Sequence, residues 1–106
     1  MEDKIIAFKM HLLPGKVDEY KKRHDEIWPE LKQLLVDAGI YDYSIFLDTE
    51  TNILFAVQKV KGNGNSQQLG STEIVQKWWA YMKDIMLTNE DNSPVSESLE
   101  QVFYLK

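Results

Sequence analysis

The apolar residues of this chain recur with two different periods, and the order of those periods limits what it can fold into. The segment "IIAFKMHLL" (5–13) alternates between apolar and other residues over most of its length, which is typical of a strand. From residue 17 to residue 38 the apolar spacing is mostly three and four, which indicates a helix. Gly39 follows where a helix often ends in a left-handed conformation. The chain therefore starts with a strand and a helix that can each bury one face.

The rest of the sequence repeats both patterns in a different order. Two partly alternating runs, 41–48 and 52–60, flank a short polar segment and predict a β-hairpin with a loop of more than two residues. A second helical pattern covers 74–86, with Ser71 or Thr72 as a possible cap. A turn-rich connection then leads to a last predicted strand, "QVFYLK".

The resulting order, β-α-β-β-α-β, predicts one α+β domain over residues 1–106. It is the ferredoxin-like arrangement, with four antiparallel strands and both helices on one face of the sheet. We expect the bare face to carry apolar residues, either Ile6, Phe8, Met10 and Leu12 or their counterparts. An uncovered apolar face predicts association, so we expect a homodimer with sheet packed against sheet, as in a dimeric α+β barrel.

Pro29 interrupts the first helical pattern. Proline has no N–H to donate to the carbonyl of Asp25, and its ring crowds that turn. The helix must either kink there or break, with Pro29 in the first turn of a second segment. Both outcomes open the backbone beside His24.

Composition excludes several classes of function. The net charge of −5 gives no electrostatic basis for binding nucleic acid, so we expect no nucleic-acid partner. No apolar stretch approaches the ~18 residues that span a membrane, and the start of the chain does not resemble a secretory signal. The chain has no cysteine, which excludes disulfides and thiol catalysis and agrees with a cytoplasmic location.

Metal and nucleotide sites are not expected either. His11 and His24 are the only histidines, and no carboxylate lies at a ligand-like spacing with both. The glycine-rich phosphate-binding motifs are absent, and a serine triad has no local signature.

His24 is the residue best suited to chemistry. A histidine on an apolar helical stripe is more often structural, but Tyr20 lies one turn before it and Pro29 breaks the next turn. Imidazole can both give and take a proton near neutral pH.

Aromatic residues form the second group of candidates. Trp78 and Trp79 are adjacent on a helix and cannot point the same way, so one is expected in the core and the other at a surface or ligand. Indole faces pack on the C–H face of a sugar ring, and the indole N–H binds a hydroxyl. Tyr41 and Tyr43 open the next strand and are either ordinary strand aromatics or part of a site.

Six segments, in this order, resemble the L-rhamnose mutarotase family. They are "YKKRHDEIWPEL", "YDYSIFLD", "NILFA", "QKWWAYMKDIM", "DNSPVS" and "VFYL". The resemblance covers nearly the whole chain and is weakest at residues 62–70, where family members more often have a charged helical stretch containing tryptophan.

The resemblance implies a cytoplasmic, homodimeric enzyme of ferredoxin-like fold that interconverts the α and β anomers of L-rhamnopyranose without a cofactor. The acid of the family's Y-x-x-x-H motif falls on His24, and the binding tyrosine of that motif falls on Tyr20. A second binding tyrosine falls on Tyr43, and the tryptophan pair falls on Trp78 and Trp79. Protonated His24 is expected to donate to the ring oxygen, while Tyr20, a carboxylate or water removes the anomeric proton.

Three other interpretations remain. The divergent 62–70 segment leaves room for a mutarotase of another 6-deoxy sugar, such as L-fucose. A non-catalytic dimeric module that binds sugar would account for the aromatic residues equally well. Cofactor-free monooxygenases share the fold, although a shared fold does not imply a shared function.

Overall fold

The sequence folds into a sheet with helices packed on it, in the predicted order. We describe residues 3–61 and 66–106 of a computed structural model, without the side chains of residues 66–68. The strands are β1 (Lys4–His11), β2 (Ile40–Asp48), β3 (Ile53–Val60) and β4 (Ser96–Ser98). The helices are α1 (Val17–Asp25), α2 (Pro29–Asp37) and α3 (Glu73–Met82), and a short 3-10 helix covers Ser66–Ser71.

The four strands form one antiparallel sheet in the order β2-β3-β1-β4. β1 is central, so that Phe8 lies opposite Ala56 of β3 on one side and Ser98 of β4 on the other. The hairpin between β2 and β3 has a four-residue loop, 49–52, which ends with Asn52 at a φ of 59°. The α+β class and the antiparallel sheet are confirmed.

One face of the sheet builds the core together with the helices. Met10 and Leu12 are only 6% and 4% exposed, and they cluster with Tyr20 of α1 and Met82 of α3. Ile6, Phe8, Met10 and Leu12 line the side of the sheet that the helices cover. The uncovered side therefore carries the alternate residues of the strands, which was the second of the two expected arrangements. Alternation shows which residues share a face, but not which face the helices cover.

The first helical pattern forms two helices, as the breaking alternative predicted. α1 ends at Asp25, Trp28 is extended at φ −61° and ψ 131°, and Pro29 occupies the first turn of α2. Proline is tolerated there because the N–H it lacks would have no partner in a first turn. Gly39 closes α2 at a φ of +84°, as expected.

Two boundaries differ from the prediction. β4 lies at Ser96–Ser98 and not at 101–106, where the chain forms no strand. α3 ends at Met82, although Ile85 and Met86 beyond it are still buried. Apolar patterns mark residues that favour burial, and burial does not require them to be in a strand or helix.

Thr72 occupies the N-cap position of α3 without capping it. Its hydroxyl donates instead to the carbonyl of Leu69, at 2.6 Å, and so ties the 3-10 helix to α3. No helix among the described residues is long and apolar enough to cross a membrane.

Candidate active site

A cleft of about 1120 Å³ lies between the helices and the inner face of the sheet. α1, α3 and β2 all contribute side chains to it. All five residues singled out from the sequence line this cleft: Tyr20, His24, Tyr43, Trp78 and Trp79.

His24 is held by its own helix in one orientation. Its Nδ1 lies 3.0 Å from the main-chain oxygen of Tyr20. A carbonyl can only accept, so Nδ1 carries a hydrogen and donates it, which leaves Nε2 as the nitrogen available to a ligand. The imidazole stacks on the Tyr20 ring at 4.2 Å and meets the edge of Trp78 at 5.6 Å.

Burial sets the protonation of the cleft. It lowers the pKa of His24 below its ordinary value of 6.5, although the hydrogen bond to the Tyr20 carbonyl acts in the opposite direction. Burial also raises the pKa of Tyr20 above its ordinary range, with a smaller contribution from Tyr43. At neutral pH both histidine and phenol are therefore mainly uncharged.

Tyr43 and Tyr41 lie in different surroundings. The main chain bulges between Tyr41 and Ser44, where Asp42 has a φ of 47°, and this interrupts the alternation of β2. The hydroxyl of Tyr41 donates to the carboxylate of Asp3. Burial raises the pKa of Tyr43 to about 12, against a hydrogen bond from Gln58 that lowers it. Tyr43 lines the cleft and remains 38% exposed, so its ring is open to a ligand there.

The two tryptophans both face the cleft, and neither is fully buried. Trp78 packs against the buried core cluster, as expected for one of the pair, and it lines the cleft as well. Trp78 is held edge-on by Trp28 at 5.1 Å. Trp79 lies against Gly70, where an added Cβ would come within 2.8 Å of its ring. Each indole is therefore positioned by a different neighbour.

Trp28 and Arg23 support the site, and the sequence did not single them out as site residues. Trp28 packs between Trp78 and Tyr81. The buried guanidinium of Arg23 donates to the carbonyl of Tyr81 at 2.7 Å and to Asp84 at 2.9 Å. No local pattern in the sequence marks Arg23, because its partners lie at the end of α3 and just beyond it.

The loop after α3 is also part of the cleft wall. "DNSPVS" was interpreted as a turn, and Asn92 at φ 72° with Asp91 and Ser93 bonded to each other confirms that. Asn92, Ser93 and Ser96 line the cleft as well. A turn motif alone does not show which way its side chains point.

His11 lies away from the cleft. It is on the outer face of the sheet, where its Nε2 is 2.7 Å from Glu97. The described residues contain no group of three or more His, Cys, Asp or Glu side chains that could hold a metal ion.

Comparison with known proteins connects this geometry to one family. A family model described as L-rhamnose mutarotase matches residues 5–105. The chain belongs to the L-rhamnose mutarotase family. Relatives named L-rhamnose mutarotase include one from Bacteroides thetaiotaomicron, 65% identical over 93% of this chain and 95% of its own. Another, from Formosa agariphila, is 61% identical over 95% of this chain and 97% of its own.

A solved structure of an L-rhamnose mutarotase has the same fold. The crystal structure of L-rhamnose mutarotase FA22100 from Formosa agariphila superimposes with a TM-score of 0.91 at 57% identity, over 97% of this chain and 99% of that one. The resemblance to L-rhamnose mutarotases inferred from six short segments is thereby confirmed. The weakly matching segment, 62–70, lies largely outside the described residues.

Proposed function

We propose that this chain interconverts the α and β anomers of L-rhamnopyranose in the cleft around His24. The observation that carries the proposal is a half-buried imidazole that contacts Tyr20 and Trp78 and whose Nε2 has no hydrogen-bond partner among the described residues. Tyr43 and Trp79 line the same cleft. Relatives that are 61% and 65% identical bear the name L-rhamnose mutarotase and support the choice of sugar.

The proposed reaction needs only proton transfers. Anomer exchange opens the pyranose when the ring oxygen gains a proton and the anomeric hydroxyl loses one. The carbonyl then rotates, and the ring closes on its other face. His24 in its protonated form donates through Nε2 to the ring oxygen. Because burial lowers the pKa of His24, this imidazolium is a minor species at neutral pH but a stronger acid.

The base is a different group from either phenol. Tyr20 and Tyr43 have raised pKa values, so they keep their protons at neutral pH and act as hydroxyl donors to the sugar. Asp25 follows His24 at the end of α1 and lines the cleft. Its carboxylate, or a water, is therefore better suited to remove the anomeric proton than Tyr20.

The aromatic and aliphatic walls hold the sugar ring. Trp78 and Trp79 present indole surfaces that suit the C–H face of a pyranose. The 6-methyl group, which distinguishes this sugar from a hexose with a primary alcohol, requires an apolar wall. Apolar side chains of the inner sheet face that line the cleft supply one: Phe8, Ile45 and Leu47.

Replacing His24 tests the activity. His24→Ala should lower anomer exchange of L-rhamnose by ~10²–10⁴-fold, since general acid catalysis contributes about that much. Saturation-transfer NMR measures the exchange directly, with L-fucose and D-glucose as competing sugars. His11→Ala is the matched control because His11 lies on the opposite face of the sheet. Unchanged exchange in folded His24→Ala would remove this residue from the mechanism.

We also propose that the protein is a homodimer. The outer face of the sheet exposes Ile5, Phe46 and Val57, with Phe46 64% exposed. An apolar face of this kind favours association with a second copy. Light scattering should give a mass of twice 12.4 kDa, and a mass of one chain at all concentrations contradicts the proposal.

A cytoplasmic location is proposed on composition. The chain has no cysteine, which suits a reducing compartment, and its charge of −5 does not favour a nucleic-acid partner. Fractionation of cells carrying a tagged chain tests the location, and recovery outside the cytoplasm contradicts it.

A further inference from the structure

Gln58 is a polar residue in an otherwise apolar part of the sheet. The inner face of β3 carries Leu54, Ala56, Gln58 and Val60, each no more than 4% exposed. Gln58 lies opposite Ile6 of β1 and lines the cleft. A buried amide without partners is unfavourable, so its place on this face needs a reason.

The amide of Gln58 is only partly satisfied. One end interacts with the hydroxyl of Tyr43. The other, Oε1, is buried and has no hydrogen-bond partner among the described residues. A sugar hydroxyl can both donate and accept, so it is a suitable partner for an amide group in this position.

We propose that Gln58 is a substrate-binding residue whose side-chain amide forms a hydrogen bond with one ring hydroxyl of the sugar. This inference rests on the proposed function. It also gives the contact between Gln58 and Tyr43 a role, because the same amide then positions the Tyr43 hydroxyl and binds the sugar. A site with an amide in this position discriminates against a sugar that lacks the hydroxyl.

The test compares Gln58→Leu with the wild type on L-rhamnose and its 2-deoxy, 3-deoxy and 4-deoxy analogues. Removing the amide should lower kcat/KM for L-rhamnose about tenfold or more. For one analogue, the one without the bonded hydroxyl, the substitution should change kcat/KM little. Gln33→Leu makes the same chemical change on the exposed side of α2 and is the control.

Two results overturn this assignment. No loss on L-rhamnose means that the amide does not contact the sugar, and an equal loss on all four sugars means that Gln58 is only structural. If the wild type exchanges none of the sugars, the proposed activity itself fails. Tryptophan fluorescence titrations of the same sugars then still decide whether Gln58 contributes to binding.

A second inference concerns the end of the chain. The main-chain N–H of Leu99 donates to the carbonyl of Ala7, and after that residue the chain leaves the sheet. Four consecutive large side chains are then exposed: Val102 by 88%, Phe103 by 76%, Tyr104 by 61% and Leu105 by 81%. A run of this kind on a protein surface marks an interaction site.

The same chain offers a surface that would cover this segment. β2 is the edge strand on the side away from β4, and its outer edge has no strand partner among the described residues. Phe46 of β2 and Val57 of β3 are exposed beside it. The Cα radius of gyration is 13.9 Å, against about 12.9 Å for a typical domain of this length, as expected when one end projects.

We propose that residues 99–106 dock on the outer sheet face of a second copy, beside β2. In a two-fold symmetric dimer each copy supplies one segment and one sheet face, so the exposed segment and the exposed face of both copies are covered. Large aromatic side chains each bury roughly 150–250 Å². Two such segments with the sheet faces beneath them approach the ~800 Å² per partner of a stable interface. This inference rests on the proposed homodimer.

Two serine pairs test the docking, Phe103→Ser with Leu105→Ser and Val102→Ser with Tyr104→Ser. At least one pair should convert a dimer into a single chain of 12.4 kDa, measured by light scattering. Val36→Ser, at an exposed position on α2, should remain dimeric. Amide hydrogen exchange of the wild type should show residues 100–106 protected, which holds even if a serine variant does not fold.

The docking is overturned if both serine pairs remain dimeric or if the segment exchanges freely in a wild-type dimer. A wild type that is a single chain at every concentration overturns the homodimer as well. The two proposals therefore fail separately.

Discussion

His24 shows what a sequence can and cannot say about one residue. Its place on the apolar stripe, one turn after Tyr20, was enough to single it out. The direction of its free nitrogen was not predictable, because it depends on the hydrogen bond from Nδ1 to the Tyr20 carbonyl. Gln58 was overlooked for a similar reason, since an isolated glutamine in a strand has no pattern that marks a site.

The pH dependence of the rate follows from the acid role of His24. The donor is the imidazolium, and burial lowers its pKa below 6.5. We expect kcat/KM for L-rhamnose to rise as the pH falls from 8 and to level off only below that lowered pKa. Anomer exchange measured between pH 5 and pH 8 checks this, and a rate that rises with pH through that range assigns His24 the role of base.

The same shift affects stability. The unfolded chain protonates His24 near 6.5, while the folded chain protonates it only at lower pH, so the unfolded state binds more protons between the two values. The free energy of unfolding should therefore decrease as the pH falls from 6.5 through the folded pKa. Urea unfolding of wild type and His24→Ala across this range isolates the effect as a difference in slope, and parallel slopes contradict it.

At the scale of elements, the break between α1 and α2 was predictable because Pro29 has a unique backbone requirement. The contact that joins α1 to α3 was not predictable. It depends on Arg23, whose guanidinium bonds the Tyr81 carbonyl and Asp84 and lies 4.3 Å from the centre of the Tyr81 ring. Contacts between distant segments have no signature in local periodicity.

Arg23→Met should destabilise the fold. The substitution keeps the length of the side chain but removes a charged hydrogen bond to the Tyr81 carbonyl, and bonds to charged groups contribute about 1.5–3 kcal/mol. Thermal and urea unfolding measure the loss. Lys22→Met, one position away and exposed, should change stability by far less. Equal effects of the two substitutions would show that Arg23 does not join the helices.

The approach of the 3-10 helix to α3 positions Trp79. A Cβ on residue 70 would lie 2.8 Å from that ring, so Gly70→Ala must move it. A displaced binding residue can lower kcat/KM by up to ~100-fold. In a Trp79→Phe background the smaller ring leaves room, and the alanine should cost much less. The same loss in both backgrounds would show that Gly70 does not act through Trp79.

For the molecule as a whole, the sequence predicted the α+β class but not the surface on which its parts meet. The order of periods predicted a four-stranded antiparallel sheet, but it left open whether Met10 and Leu12 would face the helices, as they do, or the uncovered side. The apolar end of the chain was interpreted as a strand of its own sheet, where β4 already occupies the edge. An apolar pattern shows that a segment needs to be buried, but it does not show which surface buries it.

The bond between Nδ1 of His24 and the backbone limits this ring to a single transferable hydrogen at any moment. Opening a pyranose requires one hydrogen to arrive and another to depart. An imidazole held in this way can carry out only one of the two proton transfers at a time. Either a second group makes the other transfer in the same step, or the two transfers occur one after the other. Solvent isotope effects on anomer exchange would distinguish the two, since two protons move in the transition state of the first case and one in that of the second.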